Sequence, residues 1–150
     1  ELETCCINRI LKNTIFSYYD DWSGRGISPE ISLPEKQLYI EGNEAGLKRM
    51  LQNIIKNGMD HGQDKIKVQL FEREEKIHLW ICNEMTNPEK IDVSRVFQRF
   101  YKADGARSRN SSGLGLSIAQ EFVLRMKGEI HAEISENEFW VKVSFPKRVK

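Results

Sequence analysis

The chain has 150 residues, 23 Lys and Arg against 22 Asp and Glu, and a formal net charge of +1. That length suits one domain with a real core, and the charge balance gives no global bias toward nucleic acid or an anionic surface. No apolar run approaches the roughly 20 residues that span a bilayer, and no signal peptide opens the chain.

Ile7, Ile10, Leu11, Ile15, Tyr18, Tyr19 and Trp22 recur at three- and four-residue steps, which predicts a first helix that Gly24 and Gly26 end. Short extended pieces follow at Glu30 to Leu33 and Leu38 to Glu41. Asn43 then caps a second helix whose inner face carries Leu47, Met50, Leu51, Ile54 and Ile55, and Gly62 is expected to stop it. Two alternating runs, Ile66-Val68-Leu70 and Ile77-Leu79-Ile81, read as a hairpin turning at Glu74-Glu75. Asn83 to Lys90 reads as a polar loop, and Val93 to Phe100 as a short helix starting near Asp92. A further helix from about Leu114 buries Leu116, Ala119, Phe122, Val123 and Met126 and ends at Gly128. The chain closes on a second hairpin, Ile130-Ala132-Ile134 against Phe139-Val141-Val143-Phe145, with Glu136-Asn137 in the turn.

The expected architecture is one α+β domain over residues 1–150: a two-layer sandwich with a mixed, mostly antiparallel sheet of about five strands and three helices on one face. The cysteines Cys5, Cys6 and Cys82 are odd in number and lack C-x-x-C spacing, so they read as reduced thiols. His61, His78 and His131 are scattered and suggest no metal cluster.

Two stretches point to chemistry. Ser111-Ser112-Gly113-Leu114-Gly115-Leu116 places two glycines at the opening of an amphipathic helix, after the polar run Ala103 to Asn110, which has no apolar anchor and reads as a lid. The first N–H groups of a helix lack internal partners, the dipole is positive there, and glycine lets a phosphate approach the backbone. The alternative is a tight turn only. A dinucleotide fingerprint is excluded, because a polar loop stands where a strand would be required. On the second helix, Asn53 and Asn57 share a face one turn apart at the rim of a buried surface. Their amide oxygens suit Mg²⁺ already neutralised by phosphates, or else both amides bond a nearby loop.

Taken together, Leu47 to Gly58, Val96-Phe97-Gln98-Arg99-Phe100-Tyr101-Lys102 and Gly113-Leu114-Gly115-Leu116 resemble the N, F and final glycine boxes of the ATP-binding catalytic domain of bacterial sensor histidine kinases, in that order and spacing. That domain belongs to the GHKL superfamily with its Bergerat ATP-binding fold, and the Arg-Phe-Tyr-Lys-Ala-Asp run is similar to membrane-sensor kinases of Gram-positive bacteria. The resemblance implies that Asn57 binds the Mg²⁺ bridging the ATP phosphates, with Asn53 lining the same site as a second metal candidate. It places His61 against the adenine. Tyr101 and Lys102 would flank the nucleotide, with Lys102 and either Lys56 or Arg107 near phosphates, and the backbone from Gly113 to Leu116 would cradle them. Related ATPases carry a water-activating glutamate where this chain has Asn53, so transfer to a protein acceptor is favoured over hydrolysis.

The family's Asp-x-Gly-x-Gly run is here Asn83, Met85 and Asn87. Asn83 can still accept a hydrogen bond from the adenine amino group, without charge assistance. None of the three histidines sits in a helical His-Glu or His-Asp context, so no catalytic side chain and no phosphoacceptor are expected here. The implied partners are ATP, a dimerisation domain carrying the acceptor histidine, and indirectly a response regulator, with no nucleic acid. The implied setting is a monomeric cytoplasmic fragment of a homodimeric parent anchored in the cell membrane, the sensor and dimerisation regions lying upstream. Two other readings remain open: a non-catalytic regulatory module of the same fold, and a serine kinase of the same superfamily.

Overall fold

The computed structural model describes residues 2–61, 65–85, 91–99 and 115–149, with the side chains of residues 60, 61 and 115 excepted. Its elements in chain order are β1 (Glu3–Cys6), α1 (Ile7–Phe16), α2 (Tyr19–Gly24), β2 (Ser28–Ser32), β3 (Tyr39–Gly42), α3 (Glu44–His61), β4 (Lys65–Arg73), β5 (Lys76–Glu84), a 3-10 turn (Val93–Arg95), α4 (Gly115–Arg125), β6 (Glu129–Ser135) and β7 (Glu138–Arg148). No helix among the described residues is long and apolar enough to cross a membrane.

The α+β class holds, but among the described residues the sheet has seven strands, in the order β1-β3-β7-β5-β4-β2 with β6 also on β7. Strand β5 pairs β7 from Lys76↔Pro146 to Glu84↔Glu138. On the other side of β7, β6 takes residues 138–144 and β3 takes 147–148. Only β2 on β4 is parallel, which makes the sheet mixed. The β4–β5 turn places Glu74 and Glu75 both at positive φ, 52° and 64°, matching the right-handed twist of the flanking strands.

Alternation decides which face is covered. Ile66, Val68, Leu70, Ile77, Leu79, Ile81, Phe139, Val141, Val143 and Phe145 are buried beneath the helices with the inner face of α3. The opposite face carries Phe71, Trp80 and Trp140 in edge-to-face contact at 5.2 and 6.0 Å, with the Lys142 ammonium 4.0 Å from the Trp80 ring centre. Cys82 belongs to this outer row, yet it is 1% exposed and burial pushes its thiol up to about 12. It stays a thiol at neutral pH, and all three cysteines are free.

Three expectations are corrected. The first helix does not run unbroken to Trp22: Thr14 Oγ1 donates to the Ile10 carbonyl at 2.8 Å and Ser17 Oγ to the Thr14 carbonyl at 2.6 Å, and the chain breaks before α2. Gly26, at φ +72°, closes α2 with its neighbour's Ile27 N–H bonded to the Trp22 carbonyl at 2.8 Å. The helix expected over Val93 to Phe100 is a single 3-10 turn followed by irregular chain, with Asp92 Oδ1 accepting from the Ser94 N–H at 3.1 Å. Phe100 itself, like the helix stop expected at Gly62, lies outside the described residues. Finally, Asn83 does not open a loop. It continues the inward row of β5 and is 4% exposed.

Candidate functional site at the end of α3

Helix α3 starts where Asn43 Oδ1 accepts from the Gly46 N–H at 2.8 Å, the cap the sequence predicts. Leu47, Met50, Leu51, Ile54 and Ile55 are at most 1% exposed, which fixes the rotation of the helix. That rotation leaves Asn53 and Asn57 half-buried on one face. The Asn53 amide nitrogen is fully buried and has no hydrogen-bond partner among the described residues. Asn57 also makes no hydrogen bond among the described residues.

Glycines set what stands around this pair. A Cβ on Gly46 would lie 3.1 Å from the Phe122 ring, and one on Gly42 would lie 2.9 Å from Met126 Sδ. Moving back from α3 to the last residue of β3 thus moves forward along α4 to the residue after its end, so the two helices run antiparallel. Gly115 is seven residues before Phe122, and Asn53 is seven residues after Gly46. At about 1.5 Å rise per residue both steps are roughly 10 Å, which brings the amino end of α4 level with Asn53.

Asn83 completes the cluster from the sheet side. Its Nδ2 donates to the Glu84 carbonyl at 3.4 Å, and its Oδ1 lies 3.3 Å from the point a Gly58 Cβ would occupy. Gly58 directly follows Asn57, so the carboxamide of Asn83 rests on the last turns of α3. A glycine inside a helix costs about 1 kcal/mol relative to alanine. The space it leaves for Asn83 is the role that the sequence signal, an interior helical glycine, could have suggested and did not. Nothing in the sequence marked Arg25, whose Nη1 donates at 3.5 Å to the Met59 carbonyl near the same helix end.

Among the described residues, Asn53 and Asn57 share one face of α3, Asn83 rests on the Gly58 that follows Asn57, and α4 packs on α3 where Phe122 meets Gly46. Leu116 places its side chain in the core, at 4% exposure, and contributes only backbone at the helix start. His61 ends α3, but its side chain is outside the described set, and Tyr101, Lys102, Arg107, Gly113 and Leu114 lie outside the described residues, as does the run Ala103 to Asn110. Lys56 is exposed beside the pair.

Residues 42–148 match the family described as histidine kinase-, DNA gyrase B-, and HSP90-like ATPase. Among curated relatives, the sensor histidine kinase YcbM of Bacillus subtilis is 30% identical over 131 residues, which cover 85% of this chain and 42% of that protein. The sensor histidine kinase WalK of the same species is 34% identical over 113 residues, covering 71% of this chain and 18% of the relative. The sensor protein VanS of Enterococcus faecium is 30% identical, over 86% of this chain and 34% of its own length. The chain therefore spans less than half the length of these relatives. Of solved structures, the mycobacterial sensor histidine kinase MprB superposes with a TM-score of 0.84 at 21% identity, covering 99% of this chain and 100% of that one. The nucleotide-free catalytic domain of histidine kinase ThkA does so at 0.84 and 18% identity, over 98% and 96%. The chain belongs to the histidine kinase-, DNA gyrase B- and HSP90-like ATPase family, and within it resembles the ATP-binding catalytic domain of sensor histidine kinases.

Proposed function

We propose that the chain binds Mg²⁺-ATP at the end of α3 and supplies the γ-phosphate for phosphorylation of a histidine on a dimerisation domain of its parent, within two-component signalling. The observation that carries this reading is the buried, unpartnered Asn53 amide level with the amino end of α4. A buried donor without an acceptor costs about 1–3 kcal/mol, and a phosphate oxygen removes that cost. The donors fit an anion, and the free carboxamide of Asn57 offers the neutral, hard oxygen that suits Mg²⁺. When bound, Mg²⁺ would neutralise phosphate charge; Asn57 would hold it and Asn53 would orient the phosphates. Asn83, buried against Gly58 with its Nδ2 turned to the Glu84 carbonyl, offers its oxygen to the amino group of adenine.

Position 53 carries an amide, which cannot take a proton from water as a carboxylate would. Transfer to a protein acceptor is favoured over hydrolysis on that ground. The parent would be a homodimer anchored in the cell membrane, with this chain on the cytoplasmic side and a response regulator downstream. One structure of similar fold, histidine kinase ThkA in complex with the response regulator TrrA, supports the class of partner (TM-score 0.76, 19% identity, 98% of this chain and 42% of that one).

The experiment mixes the chain with the dimerisation domain of its parent and ATP labelled at the γ-phosphate. Acid-labile, base-stable label on that domain is the expected result, with little phosphate released by the chain alone. Steady phosphate release without transfer would move the protein to the ATPases of the family. Nucleotide binding with neither transfer nor release would favour the regulatory-module reading.

A further inference from the structure

Among the described residues the sheet ends on β1, β2 and β6, and these edges differ in what they offer. β1 has four residues; β2 has five, of which Pro29 has no N–H to give. β6 has seven, Glu129–Ser135, with neither proline nor lysine among them. One side of β6 pairs β7, and its other side forms no backbone hydrogen bond among the described residues. The 3-10 turn at Val93–Arg95 approaches β6 without bonding its backbone. An edge of that length with unpaired N–H and C=O groups is a template for another strand.

The β6 sequence is complementary to itself. Its inward row is Ile130, Ala132 and Ile134, half-buried against the core, and its outward row is Glu129, His131, Glu133 and Ser135. Antiparallel pairing of two copies about a two-fold axis at Ala132 sets Ile130 opposite Ile134 and His131 opposite Glu133, each pair occurring twice. Glu129 then faces Ser135, so no like charges oppose. Sliding one copy by two residues in one direction sets Glu129 against Glu133 and His131 against His131. In the other direction it sets Glu133 against Glu133. A slide of one residue turns the isoleucines to the outer face. The charge pattern therefore admits a single register. Within one chain His131 Nε2 lies 3.1 Å from Glu133 Oε1, while Lys142 Nζ donates to Glu133 Oε2 at 3.2 Å. The His131 ring is exposed, and its Nδ1 has no partner among the described residues, so it is open to a carboxylate across the axis.

We propose that the free edge of β6 is an interface for a second copy of this chain, the two strands pairing antiparallel about Ala132 and joining their sheets. The proposal is independent of the nucleotide reading, and its test uses no nucleotide. Sedimentation velocity from micromolar to millimolar chain is expected to show a monomer–dimer equilibrium, with amide exchange slowing at residues 129–135 as the dimer fills. His131→Glu sets a carboxylate opposite Glu133 at both contacts and should weaken association about tenfold. Glu133→Lys removes the carboxylate that faces His131 and should weaken it similarly. An equimolar mixture of the two variants restores an opposite-charge pair between position 131 of one and position 133 of the other, and should associate as wild type does. A monomer at every concentration would assign the edge to some other strand and overturn the proposal. Wild-type association of either variant alone, or a mixture no better than its parts, would also overturn it. Slowed exchange confined to Trp80 and Trp140 on the outer face would do the same.

Discussion

Asn83 rests on Gly58: a Cβ at residue 58 would sit 3.3 Å from Asn83 Oδ1 and 3.6 Å from its Cγ. The Asn83 side chain is thus positioned by the absence of one on the neighbouring helix. Gly58→Leu is expected to overpack this contact and the nearby Ile66 methyl, lowering stability by about 1–3 kcal/mol and weakening nucleotide affinity with it. Chemical denaturation and a nucleotide titration on the same sample check both effects. Unchanged affinity in a folded variant would separate Asn83 from base binding.

Asn83→Asp exchanges a neutral acceptor for a charged one. It also places a carboxylate where Nδ2 now donates to the Glu84 carbonyl. Loss of that donor in a buried setting should lower the stability of the nucleotide-free protein by about 1–3 kcal/mol. A charge-assisted bond to the adenine amino group should tighten ATP by about tenfold and weaken GTP, whose six-position oxygen is itself an acceptor. Competition titrations of the two nucleotides read the ratio, and a ratio equal to wild type would remove Asn83 as the base reader.

The end of α4 uses glycine one position later than usual. Lys127 takes the left-handed conformation at φ 61°, while the Gly128 N–H bonds the Val123 carbonyl at 2.9 Å. Gly128 is required for space, because a Cβ there would meet the Ser144 carbonyl at 2.6 Å and the Phe145 ring at 2.7 Å. Lys127→Gly should therefore stabilise by about 1 kcal/mol, and Gly128→Ala should destabilise by more than that. Urea midpoints for the two variants are expected to move in opposite directions.

Glu72 ties three segments together, accepting from Lys147 at 2.7 Å and from Lys36 at 3.3 Å. The hydrogen bond from Lys147, then that from Lys36, hold its carboxyl below the ordinary value of 4.5. A depressed folded-state value means that the stabilisation is fully present above 4.5 and is lost as pH falls through the lower folded value. Melting temperature should drop over that acid window, and Glu72→Gln should flatten the drop by lowering stability at pH 7 towards the acid value.

Much of this was legible because local periodicity and burial agree. The inner face of α3 and both hairpins follow from spacings of three to four and of two, and Asn43 is a cap by its chemistry. What escaped depends on distant partners. Four residues, Glu3 to Cys6, are a strand only because β3 lies alongside, and β2 reaches β4 across a whole helix. Tyr18, Tyr19 and Trp22 keep the helical spacing that predicts one unbroken helix to Trp22, while the break lies in two hydroxyl bonds that spacing does not encode. Asn83 looked like a loop residue because it is polar, although Ile77, Leu79 and Ile81 already set the alternation that carries it inward. Of the site, the Asn53–Asn57 pair and the glycine opening of α4 were visible; that they stand level is a product of helix packing at Gly46 and Phe122.

If α3 holds a metal–nucleotide complex through Asn57, calorimetric titration with a non-hydrolysable ATP analogue will show it. Wild type is measured with Mg²⁺ and with excess chelator, and Asn57→Ala with Mg²⁺. Binding is expected in the first case and a loss of at least tenfold in the other two, with the variant as stable as wild type because Asn57 is half-buried and makes no hydrogen bond among the described residues. Equal affinity in all three titrations would contradict it.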